Sequence, residues 1–276
     1  MRRAAFAGLA VAMGAVALVF LVLPIVAIYT HTSPARLLDQ LSNPVVRDAF
    51  AVSLKTSLVA QALIVLFGTP TAYLLATNRF PGHSVAVTLV ELPLVLPPAV
   101  AGVGLLVAFG HVGLLGPALD VFGISLPFTQ SAVTIAVAYV ASPLYIRQAI
   151  AAFEALDPNL VAASRTLGAG PARTFFRVVV PLARGGLVAG LALSFARGLG
   201  EFGATIMFAG SLQHVTQTLP LAIYAEFDRN FDATLAMSGV LVLLSIVLLL
   251  GLRIGLTWQA SPSKRSSFLF GPSASG

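Results

Sequence analysis

The sequence predicts an all-α, polytopic membrane protein with about six transmembrane helices, and three observations carry that expectation. First, 58% of the 276 residues are hydrophobic and only 9% are charged, where a soluble domain carries about 25% charged residues. Second, apolar runs recur along the chain at the length a bilayer core of about 30 Å demands, roughly 20 residues each. Third, the net charge of +6 is scattered between those runs, as a topology signal would be, and does not gather into a nucleic-acid-binding face.

Taken in order, Arg2 and Arg3 precede an apolar run over 4–29. That run exceeds the roughly 7 to 15 residues of a signal-peptide core, so 1–30 is read as a retained first transmembrane helix. Residues 31–48, with Pro34 and Pro44, form an external segment. The core transmembrane domain, 49–257, opens with a second span from about Phe50 to Thr77, and NRFPGH at 78–83 is a tight basic turn. The third span, Ser84 to Gly110, carries Glu91 and then Pro93, Pro97 and Pro98. These prolines remove backbone donors and must kink the helix, which membranes tolerate where neighbouring helices or a wet cavity receive the freed carbonyls. Gly102 and Gly104 offer close approach to a neighbour. Residues 111–127 are rich in Gly and Pro with no basic residue, an external loop, and the fourth span runs from about Phe128 to Ile146 with Arg147 marking its cytoplasmic end.

The cytoplasmic segment 153–181 contains DPNLVAASRTLGAGPARTFFRVVVP, read as two short helices meeting at a glycine corner. Asp157 caps the first, Pro158 starts it, and Gly168 supplies the left-handed residue that ends it. Gly170 and Pro171 start the second. An isolated helix needs roughly 12 to 15 residues in water, so the first must pack against something. The next apolar run, 185–196, gives only about 18 Å of helix. It must borrow Val178 to Leu182 or lead into a re-entrant segment from Gly198 to Gly210. A surface helix from Thr218 to Phe227 and a last span from Ala233 to Leu252, capped by Asp232, follow. The Ser-rich tail, 258–276, is expected to be cytoplasmic and disordered. With both termini cytoplasmic, Arg2, Arg3, Arg79, Arg147, Arg165, Arg173, Arg177, Arg184, Arg253, Lys264 and Arg265 lie inside. Only Arg36, Arg47, Lys55, Arg197 and Arg229 lie outside, which satisfies the positive-inside rule.

Few residues invite chemistry. The absence of cysteine excludes disulfides, thiol nucleophiles and cysteine metal sites. No P-loop, H-E-x-x-H or G-x-S-x-G occurs, and the histidines, at 31, 83, 111 and 214, are dispersed in expected loops, so neither a metal nor a cofactor is expected. Gly198, Gly200 and Gly203 spell G-x-G-x-x-G, but after a membrane span and not a strand. Arg197 and Glu201, four apart, face each other on a helix as an ion pair; alternatively, ionisable groups at membrane depth border a pathway. Glu91 reads as a snorkelling interfacial carboxylate. Phe175 and Phe176 are either anchors for the glycine corner or ordinary interface aromatics.

Ala162-Ala163-Ser164, three residues, Gly168, nine residues, then Val178-x-Val180-Pro181 resembles the EAA motif of ABC-importer permeases, with the family's Glu falling on Ala162 and its second Ala on Ser164. Arg197 to Thr205, RGLGEFGAT, and Glu91 to Gly102, ELPLVLPPAVAG, are similar to the corresponding stretches of the molybdate and sulfate group. The resemblance spans roughly 45–255 and implies a type I ABC importer permease fold. It implies a coupling surface for a cytoplasmic ABC ATPase dimer at Ala162, Ala163, Ser164, Leu167, Gly168, Ala169, Gly170, Pro171 and Pro181. It also implies a translocation path and gate at Gly198, Gly200, Glu201, Phe202, Gly203, Ala204 and Thr205. There the backbone around Gly198 to Gly203 and the Thr205 hydroxyl would donate to an oxyanion, and Glu201 would be held by Arg197 or by the coupling helices. The implied partners are an extracytoplasmic oxyanion-binding protein, a second copy of the chain and the lipid of a bacterial inner membrane. Molybdate is the foremost cargo, with tungstate and sulfate after it. A secondary transporter or channel without an ATPase is the competing class, and an enzyme ranks third.

Overall fold

The computed structural model describes residues 2–31 and 33–259, so the expected tail, 258–276, lies almost entirely outside the described residues. Among the described residues every regular element is helical. Five helices are long and apolar enough to cross a membrane, or six if one sharply bent pair counts as a single span.

Five elements lead to the bundle centre: α1 (Arg2–Thr30), the short α2 (Pro34–Gln40), α3 (Pro44–Thr77), α4 (His83–Val95) and α5 (Pro98–Phe109). At 34 residues, α3 is about 51 Å long, well beyond a bilayer core. Its first turns, where Asp48 pairs with His214 at 2.7 Å and Lys55 donates to Gln130 at 2.8 Å, overshoot it. The expected external segment, 31–48, is largely helical: α2 takes Pro34–Gln40, Asn43 caps α3 by accepting from Val45 N, and that helix begins at Pro44, not near Phe50. The third span is broken, not kinked. Between α4 and α5 the axis turns by 114°, because Pro97 and Pro98 in succession remove two adjacent N–H donors that would continue the helix. Gly102 allows the expected close approach, since a Cβ there would lie 2.6 Å from the carbonyl oxygen of Ala204. Gly104 has open space around it and packs against nothing.

After the small α6 (Gly116–Val121), α7 (Gln130–Glu154) is the central post. It runs two turns beyond Arg147, which therefore does not mark a helix end. Next come α8 (Pro158–Thr166) and α9 (Pro171–Thr174), a π-helical turn (Phe175–Val179), and α10 (Val180–Leu199). The second short helix of the corner is thus the foot of one continuous rod, Pro171–Leu199, of 29 residues. Of the two solutions for the short apolar run, the chain borrows residues on its N-terminal side. Pro181 lies within this rod because the π turn just before it relieves the ring-to-carbonyl clash a proline makes one turn back.

A stripe of small residues, Gly186, Gly190, Ser194 and Gly198, seats the rod on α7. A Cβ at Gly186 would lie 2.4 Å from Ala152 Cβ, at Gly190 3.0 Å from Gln148 Cβ, and at Gly198 2.8 Å from Val137 Cγ1. The spacing of four is the small-residue packing of membrane helices. Ser194 also accepts from Gln61 Nε2 at 2.7 Å, which ties α3 to the same seam.

Beyond α10 come α11 (Gly203–Ala209), α12 (Leu219–Glu226) and α13 (Phe231–Gln259). The Gly198–Gly210 segment is not re-entrant. Gly198 abuts Val137, whereas Phe208 O accepts from Phe128 N, just before α7 begins, so the chain continues toward the Gln130 end. Nor is α12 a surface helix throughout, since Leu219, Leu221 and Ala222 are fully buried and Leu219 N donates to Ser53 Oγ at 2.7 Å. The cap of the last span is Asn230, which accepts from Ala233 N at 3.0 Å; Asp232 lies within the first turn. The helix α1 touches the rest mainly through α13, where Tyr29 donates to Gly239 O at 2.7 Å.

Candidate translocation path and coupling corner

The corner is built as a closed local unit. Asp157 Oδ1 accepts from Asn159 N at 2.9 Å, the expected cap. At the other end of α8, Gly168 has φ of +81°, its N–H donates to Arg165 O, and Ala169 N donates to Ser164 O. This is a Schellman closure, which satisfies the last carbonyls of the helix. Ser164 and Thr174 share a hydrogen bond of 3.0 Å across the corner. Phe175 anchors it, its ring 4.9 Å from Tyr73 and 6.4 Å from Phe153, while Phe176 is exposed.

The faces of these residues sort cleanly. Ala162, Ala163, Gly168, Gly170, Pro171 and Pro181 are exposed or half-buried, Ser164 and Ala169 are half-buried, and the Leu167 side chain stands 88% exposed at the tip. Beside α8 a cleft of ≈ 610 Å³ is lined by Tyr73, Asn78, Glu154, Val161, Ala162 and Arg165 among others.

The second candidate site is the break between α10 and α11. Arg197 Nη1 lies 2.7 Å from Glu201 Oε2, with Glu201 only 1% exposed and Arg197 34%. The contact is ionic and not aligned as a hydrogen bond. The other oxygen, Glu201 Oε1, accepts from Ala204 N at 2.8 Å, so the same carboxylate caps α11. Since Gly198 abuts Val137, seven residues into α7, Arg197 stands about 10 Å along α7 from its Gln130 end.

Of the expected path residues, Gly200 is exposed and Phe202 and Gly203 are half-buried. Gly200 and Phe202 border a cavity of ≈ 640 Å³ that Pro220, Tyr224 and Leu241 also line. Gly198, Ala204 and Thr205 are buried, and the Thr205 hydroxyl has no hydrogen-bond partner among the described residues. A Cβ at Gly203 would lie 2.7 Å from Pro98, so the break is pressed against the elbow of the third span. Tyr224, whose ring lies 5.4 Å from Phe202, was not legible as part of this wall because its helix reads as a surface helix.

The family described as Binding-protein-dependent transport system inner membrane component matches residues 64–257, which takes in both sites. The chain belongs to that family. Among its relatives, the Molybdenum transport system permease protein ModB of Mycobacterium tuberculosis is 40% identical over 234 residues, covering 85% of this chain and 89% of that protein. The Sulfate transport system permease protein CysT of Salmonella typhimurium is 35% identical over 233 residues, covering 83% and 84%. A chain of a bacterial alginate ABC transporter, crystallised with an alginate pentasaccharide-bound periplasmic protein, superposes with a TM-score of 0.66 over 95% of this chain and 96% of that one at 14% identity, a likeness of fold. This inner membrane component is thus a multi-pass ABC importer permease by family and by architecture.

Proposed function

We propose that the chain is the membrane-spanning permease subunit of an ATP-driven importer whose cargo is a tetrahedral oxyanion, molybdate foremost. Two copies form the pore, an extracytoplasmic binding protein delivers the anion, and a pair of cytoplasmic ATPases docks on the corner from Asp157 to Pro181. Both termini are cytoplasmic, 1–30 is the first span, and 49–257 is the transport core. ATP-driven closure moves the corners, the rods transmit that movement, and the break at Gly198 to Thr205 opens or shuts. Glu201 repels an anion that faces it, so its pairing with Arg197 keeps the passage for Gly200, Phe202 and Gly203.

The observation that carries this reading is the corner itself: capped at both ends, anchored through Phe175, yet with Ala162, Ala163, Leu167 and Gly168 turned to the outside. A structural loop of this order would bury its apolar tip; a docking element presents it. The cargo follows from the molybdenum and sulfate permeases at 40% and 35% identity. The decisive experiment is Gly168→Trp. It should leave membrane insertion intact and abolish co-purification with the ATPase; retained co-purification would remove the coupling role. Uptake of solute by the purified chain alone, without ATP, would favour a secondary transporter instead.

A further inference from the structure

The pathway residues named above leave out a charged pair between the third and fourth crossings. Glu91 stands eight residues after the start of α4 at His83, and Arg147 seven before the end of α7 at Glu154. On either helix that is about 10 to 12 Å from the corner-side end, which Arg79 and Glu154 mark by pairing at 3.5 Å. Ionised groups that far in are costly against lipid and border water-filled cavities or other protein. The pair is loose: Arg147 Nε lies 3.6 Å from Glu91 Oε1, with the side chains 70% and 41% exposed. Among the described residues no hydrogen bond engages the two Nη groups of Arg147.

The helical register of α7 fixes where this pair looks. Val133, Ala136 and Val140 are buried in one cluster with Ala204 and Phe208 of α11. Steps of three and four carry that same face down through Leu144 to Arg147, Ala151 and Glu154, and there it is uncovered, with all three of the last exposed. The uncovered part of that face therefore lies below the α10–α11 break. Measured along α7 from Val137, which Gly198 abuts, Arg147 is about 15 Å below the level of the Arg197–Glu201 pair.

We propose that Arg147 is the second anion station of the pathway, with Glu91 as its displaceable counter-ion; this rests on the oxyanion-importer reading. The guanidinium fork matches two oxygens of a tetrahedral oxyanion. Glu91 competes for the same donors and keeps that binding weak, as a passage requires, since an ion held tightly does not leave. Glu91 is also followed by the Pro97–Pro98 elbow, so exchanging carboxylate for anion at Arg147 releases the end of α4 next to the break.

The chain has no cysteine, so a single thiol introduced by Arg147→Cys can be addressed in the complete transporter, with ATPase and binding protein, in phosphatidylcholine vesicles. Uptake of radiolabelled molybdate should fall about tenfold in Arg147→Cys and Arg147→Gln and stay within about threefold of wild type in Arg147→Lys. A cationic aminoethyl methanethiosulfonate should restore uptake to the thiol variant, the anionic sulfonatoethyl reagent should not, and molybdate should slow both labelling reactions. Wild-type uptake by Arg147→Gln overturns the proposal, as does equal rescue by both reagents, which would mean a packing role. A defect confined to vesicles containing anionic lipid also overturns it, because the guanidinium would then hold a headgroup phosphate. A wild-type complex that takes up no molybdate with ATP and loaded binding protein sinks the importer reading as well, which an unaffected Arg147→Gln in an active transporter does not.

Discussion

Glu201 serves two partners with its two oxygens, the Arg197 guanidinium and the Ala204 N–H in the first turn of α11, and the consequences of mutation divide accordingly. Arg197→Ala strands a carboxylate that is almost wholly buried. Breaking a buried pair from one side costs about 3 to 5 kcal/mol, and the part-exposed arginine puts this one near the lower bound. Glu201→Gln keeps an oxygen to cap α11 and removes the stranded charge, so Arg197→Met with Glu201→Gln should recover most of the thermal midpoint that Arg197→Ala loses. Equal midpoints for the single and double variants, measured on detergent-purified protein, would show that the charge is not what matters. The i, i+4 spacing made the pair legible in the sequence. The cap was not, because nothing in GLGEFG announces that the helix stops at Leu199 and restarts at Gly203.

At the level of elements, the stripe Gly186, Gly190, Ser194 and Gly198 decides whether rod and post can meet. Gly186→Val would drive a branched side chain into Ala152, whose Cβ is 2.4 Å from where the new Cβ must sit. Overpacking typically costs about 1 to 3 kcal/mol, and backbone-level contact leaves little room to relax, so the yield of folded protein after detergent extraction should drop sharply. Gly104→Val, facing open space, is the control and should extract normally. The glycine corner was readable because caps and Schellman closures are local, set by residues a few positions apart. The prolines of the third span announced a bend but not its 114°, and borrowing Val178 to Leu182 was one of two readings left open. The burial of α12 was not readable, since it depends on a distant helix supplying cover, Ser53 for Leu219.

For the molecule as a whole, single cysteines placed at His83 or Arg173 should react only with impermeant reagents on the cytoplasmic side, and those at Asp120 or His214 only from outside. Reversed labelling would invert the orientation and leave the corner with no ATPase to meet. All four positions are exposed or half-buried, so accessibility and not packing governs the result. Crossing number was legible from apolar length alone, yet five unbroken helices and one bent pair show how much of the core is assembled from interruptions that hydropathy averages away.

Under the proposed coupling, the unbroken rod from Pro171 to Leu199 works as a cantilever. It is clamped to the post from Gly186 to Gly198, where added Cβ atoms would collide with Ala152, Gln148 and Val137, and it overhangs toward the corner by about 23 Å. A push on that free foot would load the clamped seam, so rod and post would tilt together and shift Gly203 against Pro98.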